Sequence, residues 1–185
     1  MANKVTFGIK NVHYATFTTA QDGTITYNTP VAFPGAVSIG LDPLGETVEF
    51  YADNMLYYAG AENSGYQGPF ESAHVPDAFR QNILGDIVSA NGLLVENVES
   101  IPKQFALMFE IDGDVSKRRV VLYNCSVQRP AISSETHTNT KTPNVPSMQI
   151  TASPRPDGIV RAFTTDETPA ATYDAWYTAV QVPTT

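Results

Sequence analysis

The sequence predicts a mainly β fold, β-rich α+β. The expected form is an antiparallel β-sandwich or partial barrel with one flanking α-helix, a long loop and a short C-terminal helix. Three observations predict it. Residues 104–111 and 119–128 alternate apolar and polar side chains with a period of two, on either side of Asp112-Gly113-Asp114. Asp-Gly and Asn-Gly pairs, which supply the positive φ of tight hairpins, recur at Asp22-Gly23, Asn91-Gly92 and Asp157-Gly158. Helix signals are confined to two short stretches near residues 76–84 and 168–177.

In chain order, Val5, Phe7 and Ile9 alternate on one face of a first strand, and Val12 to Thr18 continues it, rich in Thr and aromatics. Gln21-Asp22-Gly23-Thr24 is a turn. Val31 to Leu41 reads as a strand interrupted at Pro34-Gly35, with Val37, Ile39 and Leu41 facing inward. Asp42-Pro43-Leu44-Gly45 starts a turn, and residues 42–68 form a long loop rich in aromatics around Phe50, Tyr51, Tyr57 and Tyr58. A loop of that length is usually functional, and exposed aromatic patches mark interfaces.

Pro76 to Leu84 is the flanking helix. Proline suits its first turn, Asp77 its positive end, and Gly85 its stop; Phe79 and Ile83 share a face. In the hairpin, Phe105, Leu107, Phe109 and Ile111 face Val121, Tyr123, Cys125 and Val127 across a core. The opposite face is mildly polar. Residues 130–146, rich in Thr, Ser, Asn and Pro, form an exposed loop. Met148 to Ala152 is a strand, 154–158 a turn, and Ile159 to Phe163 the last strand. Thr168 caps a C-terminal helix whose aromatic face is Tyr173, Trp176 and Tyr177. The 185 residues form one domain, 1–185, without an internal repeat.

Hydrophobic residues make up 42% of the chain and charged residues only 16%, a composition suited to burial against other subunits. The net charge of −8 argues against tight nucleic-acid binding, which needs Lys and Arg to displace counterions. Residues 41–114 carry −11 and the remainder +3, with seven bases against two acids in 115–161. One cysteine, Cys125, excludes an intrachain disulfide framework and reads as a buried small hydrophobe. Met1–Thr6 lacks the apolar core of a secretory signal, and no apolar run approaches the ~20 residues of a membrane span. The chain is expected to be made and kept in a cytoplasm, or in something assembled there.

No catalytic pattern emerges. His13, His74 and His137 are far apart and lack metal-ligand spacing. Asp112-Gly113-Asp114 resembles the start of a calcium loop but has no downstream Glu at the final coordinating position. There is no GxSxG, P-loop or GxGxxG. Neither an enzyme nor a cofactor is expected.

A set of short motifs in order resembles the major tail proteins of siphovirus bacteriophages, especially those of Gram-positive hosts. They are Lys4 to Ala15, Pro34-Gly35-Ala36-Val37-Ser38 with Gly45-Glu46-Thr47, Phe50 to Asn54, Gly65-Tyr66-Gln67-Gly68, Pro76 to Arg80, Leu122 to Cys125, Arg129-Pro130 and Ala175-Trp176-Tyr177. The resemblance runs from about Lys4 to Val180. It implies a virion structural subunit, assembled in the host cytoplasm, whose hexameric rings stack into a tail tube. It further implies the tape measure, tail terminator and distal tail proteins as partners, viral DNA passing through the lumen without specific binding, and no membrane.

On that reading the 42–68 loop is the inter-ring contact, with Glu46, Glu49, Phe50, Tyr51, Asp53, Met55, Tyr57 and Tyr58 as its candidates. Ser38, Asp42, Gln104, Glu110, Asn124, Ser126 and Gln128 are the lumen-facing candidates. A lumen lined by some acids of 41–114 would repel DNA, and the basic 115–161 region would meet acidic surface on a neighbour. The alternatives are a carbohydrate-binding or host-adhesion β-sandwich module and a type VI secretion-like tube protein.

Overall fold

The computed structural model describes residues 8–113, 116–132, 134 and 144–183. Its strands are β1 (Gly8–Thr19), β2 (Ile25–Tyr27), β3 (Val31–Ala32), β4 (Ala36–Ile39), β5 (Asp42–Leu44), β6 (Thr47–Ala52) and β7 (Met55–Ala61). There follow β8 (Gly65–Ser72), β9 (Ile87–Val88), β10 (Leu94–Val95), β11 (Phe105–Asp112), β12 (Arg119–Val127), β13 (Ser147–Ala152) and β14 (Arg161–Phe163). The helices are α1 (Asp77–Phe79), running into a π-helical turn at Arg80–Leu84, and α2 (Ala170–Asp174).

The fold is mainly β, as predicted. One antiparallel sheet runs β2-β1-β11-β12-β13-β8-β4, with β3 on β1, β5 on β8 and β14 on β12. It rolls until β4 approaches β1 without pairing to it, so the barrel stays open among the described residues. The concave face holds the main core, which includes Tyr14, Phe33, Phe70, Phe105, Leu107, Leu122, Met148 and Ile150. The helical segment plugs it. The Phe79 ring packs edge-on against Tyr14, Phe33 and Phe105 at 5.0, 5.1 and 5.5 Å between centroids.

Most of this helix is wound as a π turn, not the α-helix that proline and glycine bracketing suggests. The wider turn sets Ile83 and Leu84 on the same side as Phe79, and all three are buried. Gly85 ends it at φ 80°.

Two local register breaks and one unexpected edge strand reverse three expectations. Val37 is exposed, not inward, because a bulge between Ala36 and Ser38 against β8 turns it out while Ala36 and Ile39 pack on the core. In β12 the alternation slips. Val120, Leu122, Cys125 and Val127 join the main core, and Val121 and Tyr123 face the other way, across an irregularity between Leu122 and Cys125. Asp42–Leu44 is not a turn but a short edge strand on β8, the setting in which Pro43 is tolerated.

The second face of the hairpin is not simply polar. Ala15, Ala106, Met108, Val121 and Tyr123 form a smaller core covered by Trp176. Thr168 does not cap α2: its Oγ1 accepts the Thr165 N–H at 2.8 Å, and Pro169 occupies the cap position. The candidate loop 130–146 lies mostly outside the described residues.

Candidate functional site

The segment 47–61 is a β-ribbon. β6 and β7 pair with each other and with no strand of the main sheet. Asp53 and Asn54 both have positive φ, 52° and 59°. A two-residue hairpin turn of this kind needs φ > 0 at both central positions, and Asp and Asn tolerate it better than other non-glycine residues. At ~3.4 Å per residue the ribbon reaches about 20 Å from its base. There the Glu62 N–H bonds to the Glu46 carbonyl at 3.1 Å and the Ser64 N–H to that of Leu44 at 2.8 Å.

Phe50, Tyr51, Met55, Leu56, Tyr57 and Tyr58 are all exposed on the ribbon, Tyr57 by 78%. Phe50 and Tyr57 meet edge-on at 6.4 Å. Glu46, Glu49, Asp53 and Glu62 are exposed beside them. The Tyr51 hydroxyl donates to Glu49 Oε2 at 2.8 Å, which holds that phenol above its usual pKa range. An isolated two-stranded ribbon is marginal in water, and this one offers apolar rings to a partner.

The sheet also presents an open polar face. Directly paired residues of antiparallel strands project to the same side. Ser126, Thr151, Gln67 and Asp42 are paired in sequence across β12, β13, β8 and β5. Ser147, Glu71 and Ser38 make a parallel row, in which the Ser38 hydroxyl donates to Glu71 Oε2 at 2.7 Å. Between them the Gln128 N–H bonds to the Gln149 carbonyl at 2.9 Å, continuing the ladder, and Gln149 faces Pro69. Register thus gathers Ser38, Asp42, Ser126 and Gln128 on one face. Its rows hold two carboxylates, Asp42 and Glu71, and no Lys or Arg.

Gln104 is exposed just before β11. Asn124 is half-buried, its amide donating to the Pro154 carbonyl at 3.4 Å. Glu110 lies elsewhere. It is buried at 3% exposure, with Lys10 Nζ and Arg119 Nε each 3.3 Å from its carboxylate. Arg119 in turn stacks over Tyr173 at 3.8 Å, so this acid ties β1, β11 and β12 to the C-terminal segment.

Sequence reasoning passed over a third surface. β9 and β10 form a second hairpin, with Gly92 at φ 80°. Ile87, Val88, Leu93, Val95, Val98 and Ile101 are exposed on it and on the segment that follows. The signal was available: two short apolar runs flank Asn91-Gly92 with no polar alternation. Arg129 fastens this excursion to the end of β12. Its guanidinium reaches Asp86 Oδ1 at 2.8 Å and Glu96 Oε1 at 3.2 Å, and donates to the Leu84 and Ser100 carbonyls at 2.8 and 3.3 Å.

Cys125 is fully buried, and burial pushes its thiol up to about 12. No helix among the described residues is long and apolar enough to cross a membrane. The model of the phage tail tube protein family matches residues 1–182 of the chain, in keeping with the siphovirus resemblance of its motifs. No curated protein matches it.

Proposed function

The chain belongs to the phage tail tube protein family, structural components of the virion tail, and from that premise we infer that its copies close into hexameric rings that stack into a hollow tube conducting viral DNA into the host. The observation that supports this best is the β6–β7 ribbon, an exposed aromatic arm that a single copy leaves uncovered. In this reading the ribbon spans the junction between successive rings. Closure of neighbouring sheets would also remove the open edges that a barrel gap leaves.

The lumen wall is assigned to the face carrying Ser38, Asp42, Ser126 and Gln128. DNA carries one negative charge per ~1.7 Å of axis, and proteins hold it by displacing counterions with Lys and Arg. A face of hydroxyls and amides with Asp42 and Glu71 offers no such contact, which suits a conduit that DNA must leave quickly. The tube would enclose the tape measure protein and end on the terminator and distal tail proteins.

Negative-stain microscopy of the purified protein tests the reading. Rings and tubes are expected. Replacing residues 47–61 with Asn-Gly joins backbone positions that already hydrogen-bond at the ribbon base, and should leave folded monomer that does not polymerise. Normal tubes from that variant would overturn the role of the ribbon. A small closed oligomer of the unaltered protein that binds glycan would instead identify an adhesion module.

A further inference from the structure

Among the described residues, eighteen large apolar side chains are exposed, and thirteen fall in just two places: seven on β6–β7, and six on the β9–β10 hairpin and the segment after it, between Ile87 and Ile101. Each group stays exposed in the single copy, so neither covers the other. The first is a free ribbon. The second is a platform, because Arg129 clamps both of its ends to the body through Asp86, Glu96 and the Leu84 and Ser100 carbonyls.

The areas are those of an interface. Phe50, Tyr51, Tyr57 and Tyr58 are 58–78% exposed. With ~150–250 Å² per aromatic side chain, the rings alone present about 500 Å². A stable interface buries ~800 Å² per partner, and Val48, Met55 and Leu56 bring the ribbon close to that. An assembly that grows without closing on itself must join two different patches, head to tail, on every copy.

We propose that the platform Ile87–Ile101 is the receptor for the β6–β7 ribbon of a second copy in the adjoining ring. This rests on the tube reading, and it adds the identity of the surface that the ribbon meets. Aromatic rings at the tip, led by Tyr57, lie on the aliphatic side chains of Val98 and Ile101. Arg129 acts as a positioning residue that keeps those two presented.

Disulfide trapping tests it. The native thiol, Cys125, is fully buried and does not interfere. In the Tyr57→Cys/Val98→Cys double variant, oxidation of assembled protein should give a ladder of covalent multimers on a non-reducing gel. A head-to-tail link propagates, whereas an isologous one stops at a dimer. Neither single variant should give a ladder. Separately, Val98→Asp/Ile101→Asp should melt like the parent, since both side chains point to solvent, yet form no tubes. Two results would overturn the platform alone: a ladder from Tyr57→Cys with Phe163→Cys or Val37→Cys in place of Val98→Cys, or normal tubes from the double aspartate variant. Failure of the unaltered protein to form rings or tubes would refute the tube reading itself.

Discussion

Arg129→Ala is the substitution with the most to lose per atom removed. The guanidinium touches two carboxylates and two carbonyls, and one of the carboxylates, Asp86, is 5% exposed as a residue. After truncation the remaining cation beside Asp86 among the described residues is Arg80, 3.9 Å away. Breaking a buried ion pair from one side typically costs ~3–5 kcal/mol, because the remaining charge is left without a partner. Here Arg80 persists and the Arg129 side chain is itself 24% exposed, so water refills part of the gap. The expected loss is therefore toward or below the low end of that range, about 2–3 kcal/mol. For a chain of this size each kcal/mol lowers Tm by ~2–4 °C, so the melt should fall by roughly 5–10 °C.

The assay is urea unfolding followed by circular dichroism, with hydrogen exchange on the Lys103 amide, which bonds to the Ile83 carbonyl at 2.7 Å where the platform rejoins the body. That amide should lose protection first. Adding Asp86→Asn to Arg129→Ala should recover stability, because it removes the stranded charge and not merely a contact. Arg129→Lys should recover only part, since an ammonium cannot reproduce the fork that spans Asp86, Glu96 and two carbonyls. A loss under ~1 kcal/mol, or no recovery on Asp86→Asn, would refute the view that a buried charge holds the platform down.

Three further outcomes follow from the core and its turns. Phe79→Ala removes the ring that meets Tyr14, Phe33 and Phe105 and should cost ~3–5 kcal/mol, read as a lower urea midpoint. Gly68→Ala would drive a Cβ into the Gly40 carbonyl oxygen and should yield insoluble protein, whereas Gly92→Ala meets open space and should cost only ~1–2 kcal/mol for its φ of +80°. The Cys125 thiol, raised to about 12 by burial, should resist a thiol reagent in native protein at pH 8.5 and react once unfolded. By linkage its stabilising contribution is whole below the unfolded thiol pKa and declines as pH rises from ~9 toward 12.

Much of this fold can be read from the residues because each signal is local. Asp-Gly and Asn-Gly fix hairpins without knowledge of the rest, and Gly85 stops a helix wherever that helix packs. Two of the errors, at Val37 and in β12, share one cause. A bulge moves every later side chain to the other face, and nothing in Ala36-Val37-Ser38 or Leu122-Tyr123-Asn124-Cys125 marks the slip. The second face of β11 and β12 looked mildly polar for a related reason. What covers Met108, Val121 and Tyr123 is Trp176, more than fifty residues from the first two in sequence, and only tertiary packing brings it there. Glu110 was indistinguishable from a solvent-facing acid until Lys10 and Arg119 were placed against it. The aromatic excursion was legible as a surface, but its ribbon form hinged on Asp53-Asn54, a weaker turn signal than Asn-Gly.

The lopsided charge gains a more specific use from these positions. A ribbon with exposed backbone edges and exposed rings is a hazard, since two copies could pair ribbon to ribbon and aggregate. Residues 42–68 contain Asp42, Glu46, Glu49, Asp53 and Glu62 and not one Lys or Arg. Any ribbon-to-ribbon pairing would bring like charges within a few ångströms, inside the ~8 Å over which salt at physiological strength screens them. Against Val98 and Ile101 the same carboxylates meet fewer acids, because Glu96 is paired with Arg129 at 3.2 Å and Glu99 is the other carboxylate beside Val98. Acids interleaved with aromatics therefore select among partners: they disfavour the symmetric contact that would end in a dimer and leave open the asymmetric contact that can propagate. In the proposed tube, the acids Glu46, Glu49, Asp53 and Glu62 on this arm would set how the copies meet, and the charge of the proposed DNA path would be decided separately, by Asp42 and Glu71 on the polar face of the sheet.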